Sequence, residues 1–273
     1  MYGTLHNLLK DQNNGVFTFE AFSLCHIVYL LLIIGGIALT LFLYKNKTQE
    51  QKKNLVNFTI SLALCLYVAD FFLMPFSEGA IDIDKLPFHL CTSMSIMGVL
   101  ARRTKTLEKF KTSFTLMGFV GATAYLVYPS GVSSADGYSY RILQTVLYHG
   151  LMIAQGVFAI AYDDLDFEWK NVKYDAIAIF GLAVWAYLGN TLYSGVLTET
   201  CACVENCPHL ITVYNHEFNW FFVMHDCFYA IPDDIDVYIA PFLMIFGVFG
   251  LCSLVRFVSI KILNVARKNK ATL

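Results

Sequence analysis

Apolar residues in this chain come in long unbroken runs, with the polar residues gathered between them. Seven such runs lie at roughly 22–44, 55–76, 86–101, 112–129, 141–162, 174–197 and 238–263. A bilayer core about 30 Å thick is crossed by about 20 helical residues. In lipid the backbone must bond within its own segment, so such runs are read as helices. The pattern predicts an all-α polytopic membrane bundle of about seven transmembrane helices. The third run is the shortest. An eighth stretch, residues 209–231, is aromatic but interrupted by His, Asn, Glu and Asp. It reads as an interfacial or re-entrant segment, because aromatic side chains favour that zone. No repeat, low-complexity segment or compositional break divides the chain. Residues 1–273 are expected to form a single integral membrane domain with a long loop at about 198–237.

Composition strengthens this picture. The chain is 57% apolar and 15% charged, whereas soluble domains are about 45–50% apolar and about 25% charged. A net charge of −2 gives no electrostatic footprint for nucleic acid. The first 20 residues are polar and lack a basic segment followed by an apolar one, so the first run is expected to be retained rather than cleaved.

Charge gives the runs a direction. Lys45, Lys47, Lys52 and Lys53 lie between the first two runs, and Arg102, Arg103, Lys105, Lys109 and Lys111 between the third and fourth. Lys261, Arg267, Lys268 and Lys270 fall at the end of the seventh run or after it. The alternate loops are acidic or poor in Lys and Arg. The positive-inside rule then puts the N-terminus outside and the C-terminus in the cytoplasm of a multi-pass cell-membrane protein. The loop DDLDFEWKNVK is of mixed charge and falls inside by parity.

With that orientation the 198–237 loop is extracytoplasmic, and it carries Cys201, Cys203, Cys207 and Cys227. Four cysteines in an oxidising compartment suggest disulfides, with three full pairings open. Zinc held by CACVENCPH is the competitor, but C-x-C-x3-C is not a standard zinc spacing. Cys25, Cys65, Cys91 and Cys252 fall in runs, where a lone cysteine packs as a small apolar residue.

Ionisable groups inside a span are costly and mark functional sites. Placed by topology, His26, Asp70, His89, Cys91, Gln144, His149, Asn190 and Tyr193 all fall at one depth, beneath the outer surface. One polar residue at a helix end is ordinary packing or an interhelical hydrogen bond. Three histidines, an aspartate and two amides at one level point to a shared pocket. His89 and Cys91 are two residues apart, about 200° around a regular helix, so they do not face each other. A Cys91–His149 pair between helices remains open. His89 or His149 backed by Asp70 suits general acid–base work, and Asn190 or Gln144 suits a carbonyl oxygen. A metal or haem held by two or three histidines is a weaker reading, because no HxxxH or ExxH spacing supports it. A retinal-type receptor is disfavoured, since Lys261 lies at a helix end rather than mid-membrane.

Several of these residues sit in motifs. FSLCHIVYL opens the first run, LPFHLCTSMSI the third, and YPSGV precedes LYHGLMI in the fifth. LGNTLYS closes the sixth. In these the chain resembles the YwaF-like integral membrane proteins of bacteria, which are related to eukaryotic transmembrane protein 164. The resemblance implies a polytopic helical fold. For activity it points to the eukaryotic relative, a cysteine-dependent acyltransferase acting on ether phospholipids. His89 matches the relative's motif histidine. Phe88 stands where the relative has its cysteine, and Cys91 comes three residues later.

The expectation is a membrane-embedded lipid-acting enzyme, an acyltransferase or hydrolase. His89, His149, Asp70 and Cys91 are the candidate catalytic residues; His26, Gln144, Asn190 and Tyr193 are candidates for substrate binding. No cofactor is invoked and membrane lipids are the expected partners. A non-enzymatic lipid carrier and a haem or metal protein are the alternatives.

Overall fold

Seven α-helices run through the residues that the computed structural model describes, namely 17–78, 85–129, 135–162, 164–193, 220–222 and 233–271. They are α1 (Leu24–Tyr44), α2 (Gln49–Glu78), α3 (Leu90–Arg103), α4 (Lys111–Val127), α5 (Tyr140–Ala161), α6 (Val172–Tyr193) and α7 (Asp233–Ala271). Two short strands, β1 (Thr18–Phe19) and β2 (Ala135–Asp136), pair antiparallel with Thr18 opposite Asp136. They tie the segment before α1 to the turn before α5.

Each expected run contains a helix, and the helices overrun the apolar stretches where their ends are polar. α2 begins at Gln49, where Thr48 and Gln51 form a reciprocal cap: Gln51 N–H donates to Thr48 Oγ1 (3.2 Å) and Thr48 N–H to Gln51 Oε1 (3.1 Å). Side-chain caps also open α1 and α5, where Ser23 and Ser139 accept from His26 N–H (3.2 Å) and Ile142 N–H (3.3 Å). Such caps satisfy backbone donors that a helix start leaves orphaned.

The third run behaves differently. Pro87 disfavours helix in the residue before it, and Phe88 N–H closes a tight turn onto the Leu86 carbonyl (2.7 Å). Helix therefore starts at Leu90, with His89 as its N-cap.

Helices α2, α3, α4 and α5 pack most extensively on one another and hold the core, with Leu116, Met117 and Met152 fully or almost fully enclosed. α6 and α7 flank α4, and α1 leans on α5. Five helices are long and apolar enough to cross a membrane: Leu24–Tyr44, Gln49–Leu73, Tyr140–Ala161, Trp169–Tyr193 and Tyr238–Val265. α3 and α4, at 14 and 17 residues, are shorter; at 1.5 Å per residue α3 spans roughly 21 Å. The outer helices expose Leu31, Leu32, Phe180, Phe246 and Leu254. Large apolar side chains facing outward around a polar-seamed core make a surface suited to lipid.

Candidate functional site

The ends of α1, α2, α5, α6 and the start of α3 that carry the sequence candidates lie together at one end of the bundle, around the end of α4. Here His149 is buried on α5. Its Nδ1 lies 2.9 Å from the Thr145 carbonyl. A carbonyl only accepts, so the proton sits on Nδ1 and Nε2 keeps its lone pair. The ring stacks on Tyr125 of α4 at 4.1 Å between centroids, and Tyr148 stands edge-on at 5.0 Å. His89 and Lys85 are near enough to act on it electrostatically.

Cys91 faces α4 at Gly121. A Cβ added there would lie 3.4 Å from the Cys91 sulfur and 2.6 Å from Leu90 Cδ2. Tyr125 is one turn further along the same face, so a single α4 stripe joins Cys91 to the ring stacked on His149. The Tyr148 hydroxyl is buried near Cys91, with the Ser95 hydroxyl beside it. Ser95 itself donates to the Thr92 carbonyl (2.9 Å). Gln144, also buried, lies one turn before Tyr148 on α5, and its Oε1 accepts from Thr145 Oγ1 (3.4 Å).

His89 is half-buried at the start of α3. The segment around it is anchored through the Pro87 carbonyl, which accepts from Ser93 Oγ (2.7 Å) and Trp185 Nε1 (2.8 Å). Phe88 fills the place where the resemblance puts a cysteine. Its ring stacks between Trp185 (4.8 Å) and Trp220 (4.7 Å), and Gly189 of α6 has no Cβ to obstruct it. Trp220 also stands edge-on to His89 at 6.4 Å, and Tyr193 edge-on to Trp220 at 5.8 Å.

Three candidates are occupied by other partners. Asp70 pairs with Lys85 (3.2 Å) and bonds the Tyr140 hydroxyl, so the Thr145 carbonyl, not Asp70, orients His149. His26 accepts from Phe22 N–H at Nδ1 (2.9 Å) and donates from Nε2 to the Leu126 carbonyl (2.6 Å). Phe22 has φ 64°, a left-handed conformation costly for a non-glycine residue, and the His26 ring secures it. Asn190 accepts from Trp220 N–H (2.8 Å) and donates to its carbonyl (3.3 Å). It positions Trp220 rather than presenting its amide to a ligand.

Cys201, Cys203, Cys207 and Cys227 lie outside the described residues, as does most of the 209–231 stretch apart from the Trp220–Phe222 turn. Cys25, Cys65, Cys91 and Cys252 are not in disulfides. Among the described residues no group of three or more His, Cys, Asp or Glu is placed to hold a metal.

The opposite end holds a second polar centre, away from the depth at which the sequence candidates gather. Arg256 of α7 and Asp175 of α6 are both fully buried and form a bidentate pair, with Nη2 2.9 Å from Oδ1 and Nε 3.1 Å from Oδ2. Ser113 of α4 donates to the same carboxylate (2.6 Å). Beside it Asp164 accepts from Arg102 (2.5 Å) and Lys111 (3.4 Å). Both members of the buried pair fall within apolar runs, so the rule that flagged Asp70 would have flagged them too.

A family model, that of the TMEM164 family, matches residues 21–260. The chain belongs to the TMEM164 family. The match takes in both polar centres and the LPFHLC segment, and it bears on the transmembrane protein 164 half of the resemblance. No curated protein and no solved structure matches the chain. Family membership and the long apolar helices together make this a multi-pass membrane protein.

Proposed function

We propose that this TMEM164-family protein is a membrane-embedded lipid-acting enzyme, an acyltransferase or hydrolase working at the outer-leaflet level of the cell membrane. One observation carries the reading: His149 has its proton held on Nδ1 by the Thr145 carbonyl, which leaves Nε2 as a buried base. That is the state a general base needs before it meets a proton donor.

In the reaction, Nε2 takes a proton from the attacking group, either water, an alcohol or the Cys91 thiol. The attacking atom bonds to an ester carbonyl carbon, and the C–O bond to the leaving alcohol breaks. The protonated His149 returns its proton to that alcohol. Negative charge gathers on the carbonyl oxygen meanwhile. The Tyr148 hydroxyl and the Gln144 amide supply donors for it, in buried surroundings where such bonds are strong. The loop lysines favour this end of the bundle as the outer one. Phe88 in the relative's cysteine position removes a nucleophile from that place, so Cys91 or solvent takes the role.

Lipid profiling of cells expressing wild type and His149→Gln tests this. A lipid class that changes with wild type and stays at the empty-vector level with the variant supports it. Identical profiles from the two, at equal protein levels, sink it.

A further inference from the structure

The Arg102 end of the bundle holds an open cleft of about 570 Å³ that the His149 chemistry does not use. Small-ligand sites run from about 300 to 1,000 Å³. Its walls come from the turn between α3 and α4, the first turn of α4, the segment joining α5 to α6, and one side chain of α7.

The lining charges are unequally engaged. Asp164 is held by Arg102 and Lys111. Asp166 accepts from Glu168 N–H (3.0 Å) and Asn171 Nδ2 (2.7 Å). Arg256 is matched by Asp175. Lys105 and Lys109 have no carboxylate partner among the described residues, and Glu108 is the one lining carboxylate left over. Lys109 rests its ammonium over the Phe110 and Tyr174 rings, at 5.4 and 5.9 Å. That contact holds the charge at the rim and leaves its N–H donors available. The turns Glu108–Phe110 and Trp169–Asn171 lead into α4 and α6 here, so the positive ends of two helix dipoles also border the cavity. Two of the three lining carboxylates are already bonded, and Lys105 and Lys109 outnumber Glu108, the third, so the cavity selects an anion over a metal cation.

We propose that this cavity binds a phosphate-bearing anion, with Lys105 and Lys109 as its charge-recognising residues. Phosphate is the fitting class because it accepts several hydrogen bonds and pairs with lysine as a point charge. Its two sources are the headgroup of an anionic phospholipid in the adjoining leaflet and a soluble phosphate compound.

The test uses the full chain, purified, and does not depend on lipid turnover. One arm measures thermal stabilisation by sodium phosphate against sodium chloride at matched ionic strength. The other counts phosphatidylglycerol molecules retained, by native mass spectrometry, from nanodiscs of phosphatidylcholine with and without phosphatidylglycerol. The variants are Lys105→Gln/Lys109→Gln and, as a control off the cavity, Lys45→Gln/Lys47→Gln. The cavity variant should weaken binding about thirtyfold in at least one arm, since two lysines near anionic lipid contribute ~1 kcal/mol each. The control should bind as wild type does. A response in the phosphate arm alone identifies a soluble ligand, and in the nanodisc arm alone a lipid headgroup. Equal losses from both variants, or no loss from the cavity variant in either arm, overturn the proposal.

Discussion

His149 and His26 are both buried histidines at the same end of the bundle, and one hydrogen bond each decides their different uses. His26 meets a backbone N–H at Nδ1 and a carbonyl at Nε2, so both nitrogens are occupied. His149 meets a carbonyl at Nδ1, and its other nitrogen stays available. The depth of both residues can be read from the sequence, but the tautomer cannot, because it depends on which backbone atom each ring meets. The same holds for Tyr125 and Tyr148: tyrosines in an apolar run look like packing until their neighbours are known. Replacing Tyr148 with Phe removes only the hydroxyl beside Ser95 and should change stability by no more than about 1.5 kcal/mol. Lipid turnover should fall in the same variant, and a thermal melt beside an activity assay checks both. For the nucleophile, Cys91→Ala abolishes turnover if the thiol attacks and only weakens it if water does.

At the scale of elements, α3 shows where hydrophobic pattern stops being informative. Residues 86–89 are as apolar as the first turns of α3, yet Pro87 and the Leu86–Phe88 turn keep them out of the helix. That exclusion puts the Phe88 ring on α6 and sets His89 at the helix start. The contact depends on Gly189, where an added side chain would strike the Phe88 ring. Gly189→Leu is expected to cost about 1–3 kcal/mol through overpacking and to displace Phe88 from Trp220. Tryptophan fluorescence, from Trp185 and Trp220 among others, should shift with it; an unchanged spectrum and melting temperature would show that α6 does not seat Phe88 this way.

Across the whole molecule, the fold class was open to reading because seven apolar runs admit little besides a helical bundle. Which helices form the core was legible only in part: α3 and α4 are set apart by being short, but α2 and α5 are long and apolar enough to span, as the lipid-facing helices are, and still pack at the centre. The buried Arg256–Asp175 pair joins α6 to α7 through α4. Asp175→Asn leaves the arginine without its counter-charge and should destabilise by about 3–5 kcal/mol. Asp175→Leu combined with Arg256→Leu should recover much of that loss, as read from melting in one detergent.

The central claim is that His149 serves as the base in lipid acyl chemistry. Its most direct test is mass spectrometry of a defined phospholipid mixture, with and without an acceptor lysophospholipid, in nanodiscs carrying the purified chain. Wild type should release fatty acid or form the acyl-transfer product, and His149→Gln, folded to the same melting temperature, should be slower by about 10²–10⁴. Turnover by the variant at the wild-type rate, or wild type leaving every supplied lipid unaltered, would contradict the account.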